Sequence, residues 1–158
     1  VWKRQLVCDD QMYLCSMNNA GQIAGVITRD ALRLPCMVDV SGQVTQIDLL
    51  PGDVSGEARG INSAGTIVGF SDDPAGPEGG PLAFVWKNGT TSQLALPVGT
   101  TASAAFGINE QGQIAGLLDV PDADSADEEG EEGEEDAEVQ TLAFRWTPKG
   151  SDKGPVKK

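Results

Sequence analysis

The chain has 158 residues, of which 39% are hydrophobic, and this is typical of one folded domain with a modest core. Its 20 glycines and 9 prolines, with few long apolar runs, favour short strands and turns, so the predicted fold class is all-β. The formal charge is −13, but residues 119–138 hold 12 of the 24 acidic residues and no basic one, which leaves the remainder nearly neutral. This charge pattern excludes a basic groove for nucleic acid, and no stretch approaches the ~20 apolar residues of a membrane helix.

The first residues read VWKRQLV, without an initiator Met or a signal sequence, which is typical of a processed product or a piece of a longer protein. Cys8, Cys15 and Cys36 lack the CxxC spacing of zinc or redox sites, and the chain has no histidine. Two interpretations of the cysteines stay open. One is a disulfide between Cys8 and Cys15, which leaves Cys36 over, and the other is a set of buried thiols.

A nine-residue pattern recurs as MNNAGQIAG from residue 17, INSAGTIVG from residue 61 and INEQGQIAG from residue 108. In each copy Asn stands three residues before Gly, in the pairs Asn18 and Gly21, Asn62 and Gly65, Asn109 and Gly112. Asn at the first position of a type I turn can hydrogen-bond back onto the turn, and Gly at the last accepts a positive φ. Each copy therefore predicts a hairpin turn. The small residues of its second strand predict that a sheet or backbone packs close by.

A second block reads LAFVWKNG at 82–89 and LAFRWTPKG at 142–150, with a degenerate copy, PCMVDVSG, at 35–42. In a strand, Phe84 and Trp86 share one face and Ala83 and Val85 share the other, so this strand is predicted to lie between two layers. A third, shorter block contains Gln5-Leu6, Gln46-Ile47 and Gln93-Leu94, and its alternation indicates a half-buried strand.

Each repeat then supplies about four strands, which is the size of a β-propeller blade. With Trp2, Asp39, Trp86 and Trp146 as equivalent positions, the repeats cover about 2–38, 39–85 and 86–146. The prediction is three tandem four-stranded repeats within residues 1–150, in an open array or as part of a larger ring. The acidic segment 119–138 is a loop insert in the third repeat, and 151–158 is a flexible basic tail.

The order GINxxGxIxG, then LAFxW, then a turn glycine resembles the HAF repeat family, which is named for a His-Ala-Phe tripeptide. Leu82-Ala83-Phe84 and Leu142-Ala143-Phe144 stand where that family has His-Ala-Phe, and Pro35-Cys36-Met37 departs further. The resemblance covers nearly the whole chain outside residues 119–138 and the tail. It implies extracellular or cell-surface bacterial proteins with tandem β-rich repeats, and no activity that can be carried onto particular residues.

Enzymatic activity is not predicted. Without histidine, Ser-His-Asp and Cys-His arrangements are excluded, and the chain has no GxSxG, HExxH or GxxxxGK motif. Its dense carboxylates lie in a run interrupted by glycine, which is a poor place to hold two groups at a fixed separation. No catalytic or cofactor-binding residue is therefore assigned.

The acidic run contains a weak calcium candidate in Asp122, Asp124 and Asp127, whose carboxylates are hard oxygen ligands at short spacing. The run lacks the sixth-position Gly of an EF-hand loop, so the alternative is a solvated loop whose like charges repel each other. The sequence Asn88-Gly89-Thr90 also has two interpretations, since it matches a glycosylation sequon and suits a hairpin turn.

Two function classes remain. The first is a non-catalytic structural module whose repeats pack end to end, and the second is a propeller-type module that binds a glycan, peptide or protein. The structural module is preferred because the chain has only one Tyr, three Trp and four Phe, mostly in the strand blocks. Head-to-tail self-association is predicted through Trp2, Phe144 and Trp146, with residues 142–146 of one copy taking the place missing before Trp2 in a neighbouring copy.

Calcium and sodium should stabilise the chain equally at matched ionic strength, because the acidic run is expected to respond only to charge screening. The measurement is the midpoint of thermal unfolding in the two salts. A further rise that grows with the logarithm of the calcium concentration would instead show a chelating site.

Overall fold

A computed structural model describes residues 11–72, 80–121 and 139–148, and it contains eleven β-strands and no helix in these ranges. The all-β prediction is confirmed. The strands are β1 (Met12–Met17), β2 (Ile23–Arg29), β3 (Leu32–Val38), β4 (Val44–Gln46), β5 (Ser55–Ile61), β6 (Ile67–Asp72), β7 (Leu82–Lys87), β8 (Thr90–Gln93), β9 (Ala102–Ile108), β10 (Ile114–Pro121) and β11 (Val139–Trp146).

The strands form three antiparallel sheets in which each strand pairs with its neighbour in sequence. Sheet 1 consists of β1 to β4, sheet 2 of β5 to β8, and sheet 3 of β9 to β11. Sheet 3 has no fourth strand among the described residues. Each sheet begins with the strand that precedes an Asn–Gly turn, so the sheets are out of phase with the repeat limits predicted from the Trp positions.

The register of sheet 1 corrects the predicted alignment of the degenerate block by one residue. Ile23, Ile67 and Ile114 hold the same place after each Asn–Gly turn, and they pair with Val38, Trp86 and Trp146. Val38 and not Asp39 is therefore the counterpart of the two tryptophans. The counterpart of Leu82-Ala83-Phe84 is Leu34-Pro35-Cys36.

The one-residue error arises at Asp39, which starts a longer turn between β3 and β4 than the turn between β7 and β8. Its Oδ1 accepts hydrogen bonds from Ser41 N at 2.8 Å, from Ser41 Oγ at 2.6 Å and from Gln43 N at 3.0 Å. The bond from the Ser41 hydroxyl has the largest effect, and together these bonds hold the pKa of Asp39 below its ordinary value. The sequence alignment therefore matches Asp39, the first residue of this turn, with the tryptophans of the other two copies, because Val38 has no aromatic ring to mark the true position.

The first strand of each sheet carries a β-bulge beside the second glycine of the nine-residue pattern. The residues left out of the pairing are Cys15, Arg59 and Phe106. Next to each bulge a backbone carbonyl oxygen, that of Tyr13, Glu57 or Ala104, lies where a Cβ on Gly25, Gly69 or Gly116 would be. The glycine is therefore needed for close backbone approach, which the small residues of this strand had predicted.

The sheets stack in chain order, and two apolar layers lie between them. The first layer contains Ala24, Ile47, Leu50, Ala58, Ile61, Ile67 and Phe84. The second contains Val68, Ala83, Leu94, Ala105 and Ile114. Neighbouring residues of β7 enter different layers, since Phe84 faces sheet 1 and Ala83 faces sheet 3. The prediction that this strand lies between two layers is confirmed.

Gly69→Ala should destabilise the fold by about 3 kcal/mol, because the added methyl group meets the carbonyl of Glu57, which cannot move without breaking the bulge. Gly107→Ala is the matched control, since a Cβ there has no neighbour within 4 Å, and it should change the free energy of unfolding by less than about 1 kcal/mol. Urea titration measures both. Equal destabilisation by the two variants would contradict this account of the glycine.

Candidate assembly interface

Each Asn–Gly turn holds its asparagine side chain by a local hydrogen bond. The Gly N–H donates to the Asn carbonyl oxygen at 3.0 Å in all three turns, and the glycines have φ values of 81°, 74° and 75°. The Asn Oδ1 then accepts from the backbone N–H four residues later, at 3.0, 3.0 and 2.9 Å in chain order. Oδ1 is thus used inside the turn, and the Nδ2 group remains as a hydrogen-bond donor.

The Nδ2 groups connect the sheets. Asn18 Nδ2 donates to the carbonyl oxygen of Asn62 at 3.0 Å, and Asn62 Nδ2 donates to that of Asn109 at 3.2 Å. These three residues form what we name the asparagine ladder. Asn18 and Asn62 are buried, whereas Asn109 is exposed and its Nδ2 donates to Gln113 Oε1 at 2.7 Å. The ladder thus ends in an exposed donor.

The acceptor end of the ladder lies at Asn18. The carbonyl oxygens of Asn62 and Asn109 each accept two bonds, one from the turn glycine and one from the preceding asparagine. Within the described residues, the carbonyl oxygen of Asn18 accepts one, from Gly21. The two ends of the ladder are therefore complementary in hydrogen bonding.

Charged groups also connect neighbouring sheets. Glu57 of β5 is buried and forms ion pairs with Arg33 of β3 and with Arg59. The two guanidinium groups lie 5.8 Å from the ring centres of Tyr13 and Phe70, which is within cation–π range. These contacts lie next to the bulges and add a polar clamp to the first apolar layer.

A second polar clamp joins sheets 2 and 3. The Glu110 carboxylate accepts hydrogen bonds from Ser63 N at 3.1 Å and from Ser63 Oγ at 2.8 Å. Both residues directly follow a ladder asparagine, and the bonds are solvent-exposed. The clamp therefore sets the alignment of the turns more than it adds stability.

The outward side of sheet 3 consists of residues whose counterparts in sheets 1 and 2 are covered by the next sheet. We name it the open face and define it by Ala104, Phe106, Ala115, Leu117, Ala143 and Arg145. Ala115 is exposed, whereas its counterparts Ala24 and Val68 are fully buried by the next sheet. Phe106 and Leu117 remain 46% and 42% exposed. The open face is thus an apolar surface of the kind that the chain elsewhere covers with another sheet.

Backbone packing shows the same difference between covered and open positions. A Cβ on Gly60 would lie 3.1 Å from Gly107 Cα and 3.2 Å from the Phe106 carbonyl oxygen, because β9 packs directly on β5. Gly107 has the same place in sheet 3, and a Cβ there would meet nothing within 4 Å. Two shallow depressions lie along the open face, one between Phe106 and Leu117 and the other between Gly107 and Arg145.

Of the three predicted assembly residues, the structure describes Phe144 and Trp146 but not Trp2. Phe144 and Trp146 are half-buried and pack on the second apolar layer in their own sheet, where β11 pairs with β10. Trp2 lies outside the described residues, so the predicted contact through these three side chains stays a prediction. Sequence reasoning missed Phe106, Leu117 and the inter-sheet role of Asn109. Only the threefold recurrence of Asn signalled the ladder.

The other predicted sites have less support. Cys8, Asp122, Asp124 and Asp127 lie outside the described residues, so the disulfide and the calcium site stay predictions. Cys15 lies on a bulge, and as a thiol it has a pKa raised mainly by partial burial, against a smaller effect of Arg59. Among the described residues, no group of three His, Cys, Asp or Glu side chains could hold a metal ion.

Asn88 and Gly89 form the two-residue turn between β7 and β8. Their φ values of 52° and 83° are both positive, as in a type I′ hairpin. The turn accounts for the Asn-Gly pair, and glycosylation of Asn88 stays a prediction. In the described part of the chain, no helix is long and apolar enough to cross a membrane.

Comparisons with protein-family models, curated proteins and solved structures find no match to this chain. The resemblance to the HAF repeat family therefore stays a prediction.

Asn62→Ala should destabilise the fold by about 2 to 4 kcal/mol, because it removes the bond to the Asn109 carbonyl and leaves the buried Thr66 N–H without an acceptor. Asn109→Ala removes the same side chain from an exposed turn, where water replaces it, and should cost about 1 kcal/mol. Thermal and urea unfolding measure both variants. Equal losses would show that the ladder adds nothing beyond its local turns.

Proposed function

We propose that the chain is a non-catalytic structural module whose β repeats associate head to tail with further repeats of the same kind. The observation that carries the proposal is the asparagine ladder, with an exposed donor at Asn109 and an acceptor at Asn18. Within the chain this contact already occurs twice. A third instance needs another copy of the repeat.

Apolar exposure at both ends of the stack supports the proposal. On the open face, Phe106 and Leu117 have no covering sheet in the described structure. At the opposite end, Met17 of β1 is 67% exposed, whereas its counterpart Ile61 is buried against sheet 1. Contact between the two ends of different copies would bury side chains that the chain buries at its internal interfaces.

We infer that each sheet is a blade-like unit. Sheets 1 and 2 are four-stranded antiparallel meanders, and the first strand of sheets 2 and 3 packs on the preceding sheet. Closed propellers need about 4 to 8 blades, so three sheets would form part of a larger ring or an open array. An extracellular or cell-surface bacterial setting rests on the family resemblance alone.

A binding module for a protein, peptide or glycan is the second candidate function. The two depressions on the open face favour it, because they combine apolar walls with Asn109, Gln113 and Arg145 at one end. Such a partner would use the same surface as a second copy. Measurement of the oligomeric state therefore separates the two functions.

Sedimentation velocity at increasing concentration should show species larger than the 16.5 kDa monomer. Phe106→Asp and Leu117→Asp should each shift the distribution to monomer, because a carboxylate on the open face cannot be covered by another sheet without a large desolvation cost. The free energy of unfolding should stay close to that of the parent, since both side chains are already partly exposed.

Val98→Asp is the matched control, because it introduces the same charge on a fully exposed turn residue away from the open face. It should leave the distribution unchanged. A parent chain that stays monomeric at all concentrations would overturn the assembly function and favour the binding module.

A further inference from the structure

A short fourth strand completes sheets 1 and 2. In sheet 1, Gln46 of β4 lies opposite Cys36, and in sheet 2, Gln93 of β8 lies opposite Phe84. The residue after each glutamine continues the pairing: Ile47 N donates to the Pro35 carbonyl oxygen and Leu94 N to that of Ala83, both at 2.8 Å. Ile47 and Leu94 are 0% and 3% exposed, and each lies in the layer between its sheet and the next.

Sheet 3 presents the same edge without such a strand among the described residues. Phe144 of β11 holds the place of Cys36 and Phe84, because all three pair with the second glycine of the repeat. Ala143 then holds the place of Pro35 and Ala83, and it is exposed where both of these are buried. Backbone groups alternate along a strand, so the Ala143 carbonyl oxygen and the Arg145 N–H lie on the open edge.

We propose that the edge of β11 is a strand-acceptor site that binds residues 3–7 of a second copy, with Gln5 opposite Phe144 and Leu6 in the place of Ile47 and Leu94. This inference rests on the proposed function and names the segment through which two copies join. Strand addition supplies backbone hydrogen bonds, and one aliphatic side chain in a layer between sheets supplies specificity.

Continuity with the internal interfaces favours this segment. Gln5-Leu6 repeats the Gln-aliphatic pair of β4 and β8, and Leu6 precedes Asn18 by 12 residues. Ile47 precedes Asn62 by 15 residues, and Leu94 precedes Asn109 by 15. A copy that donates Leu6 to β11 therefore brings its own sheet 1 onto the open face, where its Asn18 carbonyl oxygen can accept from Asn109 Nδ2.

The continuation of the same chain after β11 is a poorer occupant. Ile47 follows Val38 by nine residues and Leu94 follows Trp86 by eight, so the corresponding positions after Trp146 are Pro155 and Gly154. Neither residue carries a side chain like Leu to fill the layer between sheets, and proline has no N–H to donate to Ala143.

The register makes a further prediction about charge. With Gln5 opposite Phe144, Arg4 lies opposite Arg145, and like charges directly across two strands repel each other. Arg145→Glu should therefore strengthen binding of residues 1–7 by about 2- to 5-fold. Arg145→Pro removes the N–H on the open edge and should abolish binding, while the bonds from β11 to β10 are retained.

The test is fluorescence anisotropy with a labelled peptide of residues 1–7, titrated with the full chain carrying Leu6→Ser, which keeps β11 but cannot donate its own Leu6. The control peptide carries Leu6→Ser and has the same charge, so attraction to the acidic chain is matched. We expect the parent peptide to bind at least about tenfold more tightly than the control peptide. Circular dichroism checks that the Arg145 variants remain folded.

Equal affinity of the two peptides, or binding that Arg145→Pro and Arg145→Glu leave unchanged, would overturn the strand-acceptor site. The two proposals fail in different ways. If the parent chain forms oligomers but the peptide does not bind, the proposed function stands and the strand-acceptor site is wrong. Peptide binding to a parent chain that stays monomeric would retain the site and remove the proposed function.

Discussion

The asparagine side chain that starts each hairpin turn is the contact on which the rest of the structure depends. In Asn18 and Asn62 the side-chain oxygen is used inside its own turn and the nitrogen bonds to the next sheet, so one residue couples a local turn to the stacking of two sheets. Aspartate lacks the second function, because a carboxylate has no N–H to donate. Asp39 illustrates this limit, since its Oδ1 closes a comparable turn and makes no bond to another sheet within the described parts of the chain.

The direction of this contact supports the proposed assembly. Each ladder step runs from the side chain of one sheet to the backbone of the next, so a stack has a donor end and an acceptor end. Such a contact is heterologous, and its repetition gives a ring if the rotation closes and a filament if it does not. The bulge residues vary with their surroundings: Arg59 lies at an internal interface and pairs with Glu57, whereas Phe106 lies on the open face and is exposed.

Much of the fold could be predicted from the sequence because its signals are local. The turn at Asn62 and Gly65 and the crowding around Gly69 each depend on residues that are close in sequence or directly cross-strand. The register of β3 in sheet 1 could not be predicted from the sequence. Val38 has no aromatic ring to align with Trp86, and the longer turn after it moves the similar residues by one position. The residues that form the candidate site could not be predicted either. Ala83 and Ala143 both stand in a Leu-Ala-Phe sequence, and they differ only in whether another sheet covers them.

The sequence by itself determined that the chain is all-β, that one hairpin unit occurs three times and that small residues must occupy its second strand, because side-chain size, turn chemistry and alternation act over a few residues. Only the tertiary structure decided which of the described sheets lacks a covering sheet, which asparagine has an exposed donor and which strand has no partner at one edge among the described residues. These properties depend on whether another sheet lies within a few ångströms of a given residue. The turn asparagines and the Leu-Ala-Phe strands have nearly the same local sequence in each repeat that contains them, and that sequence does not show which copy is covered.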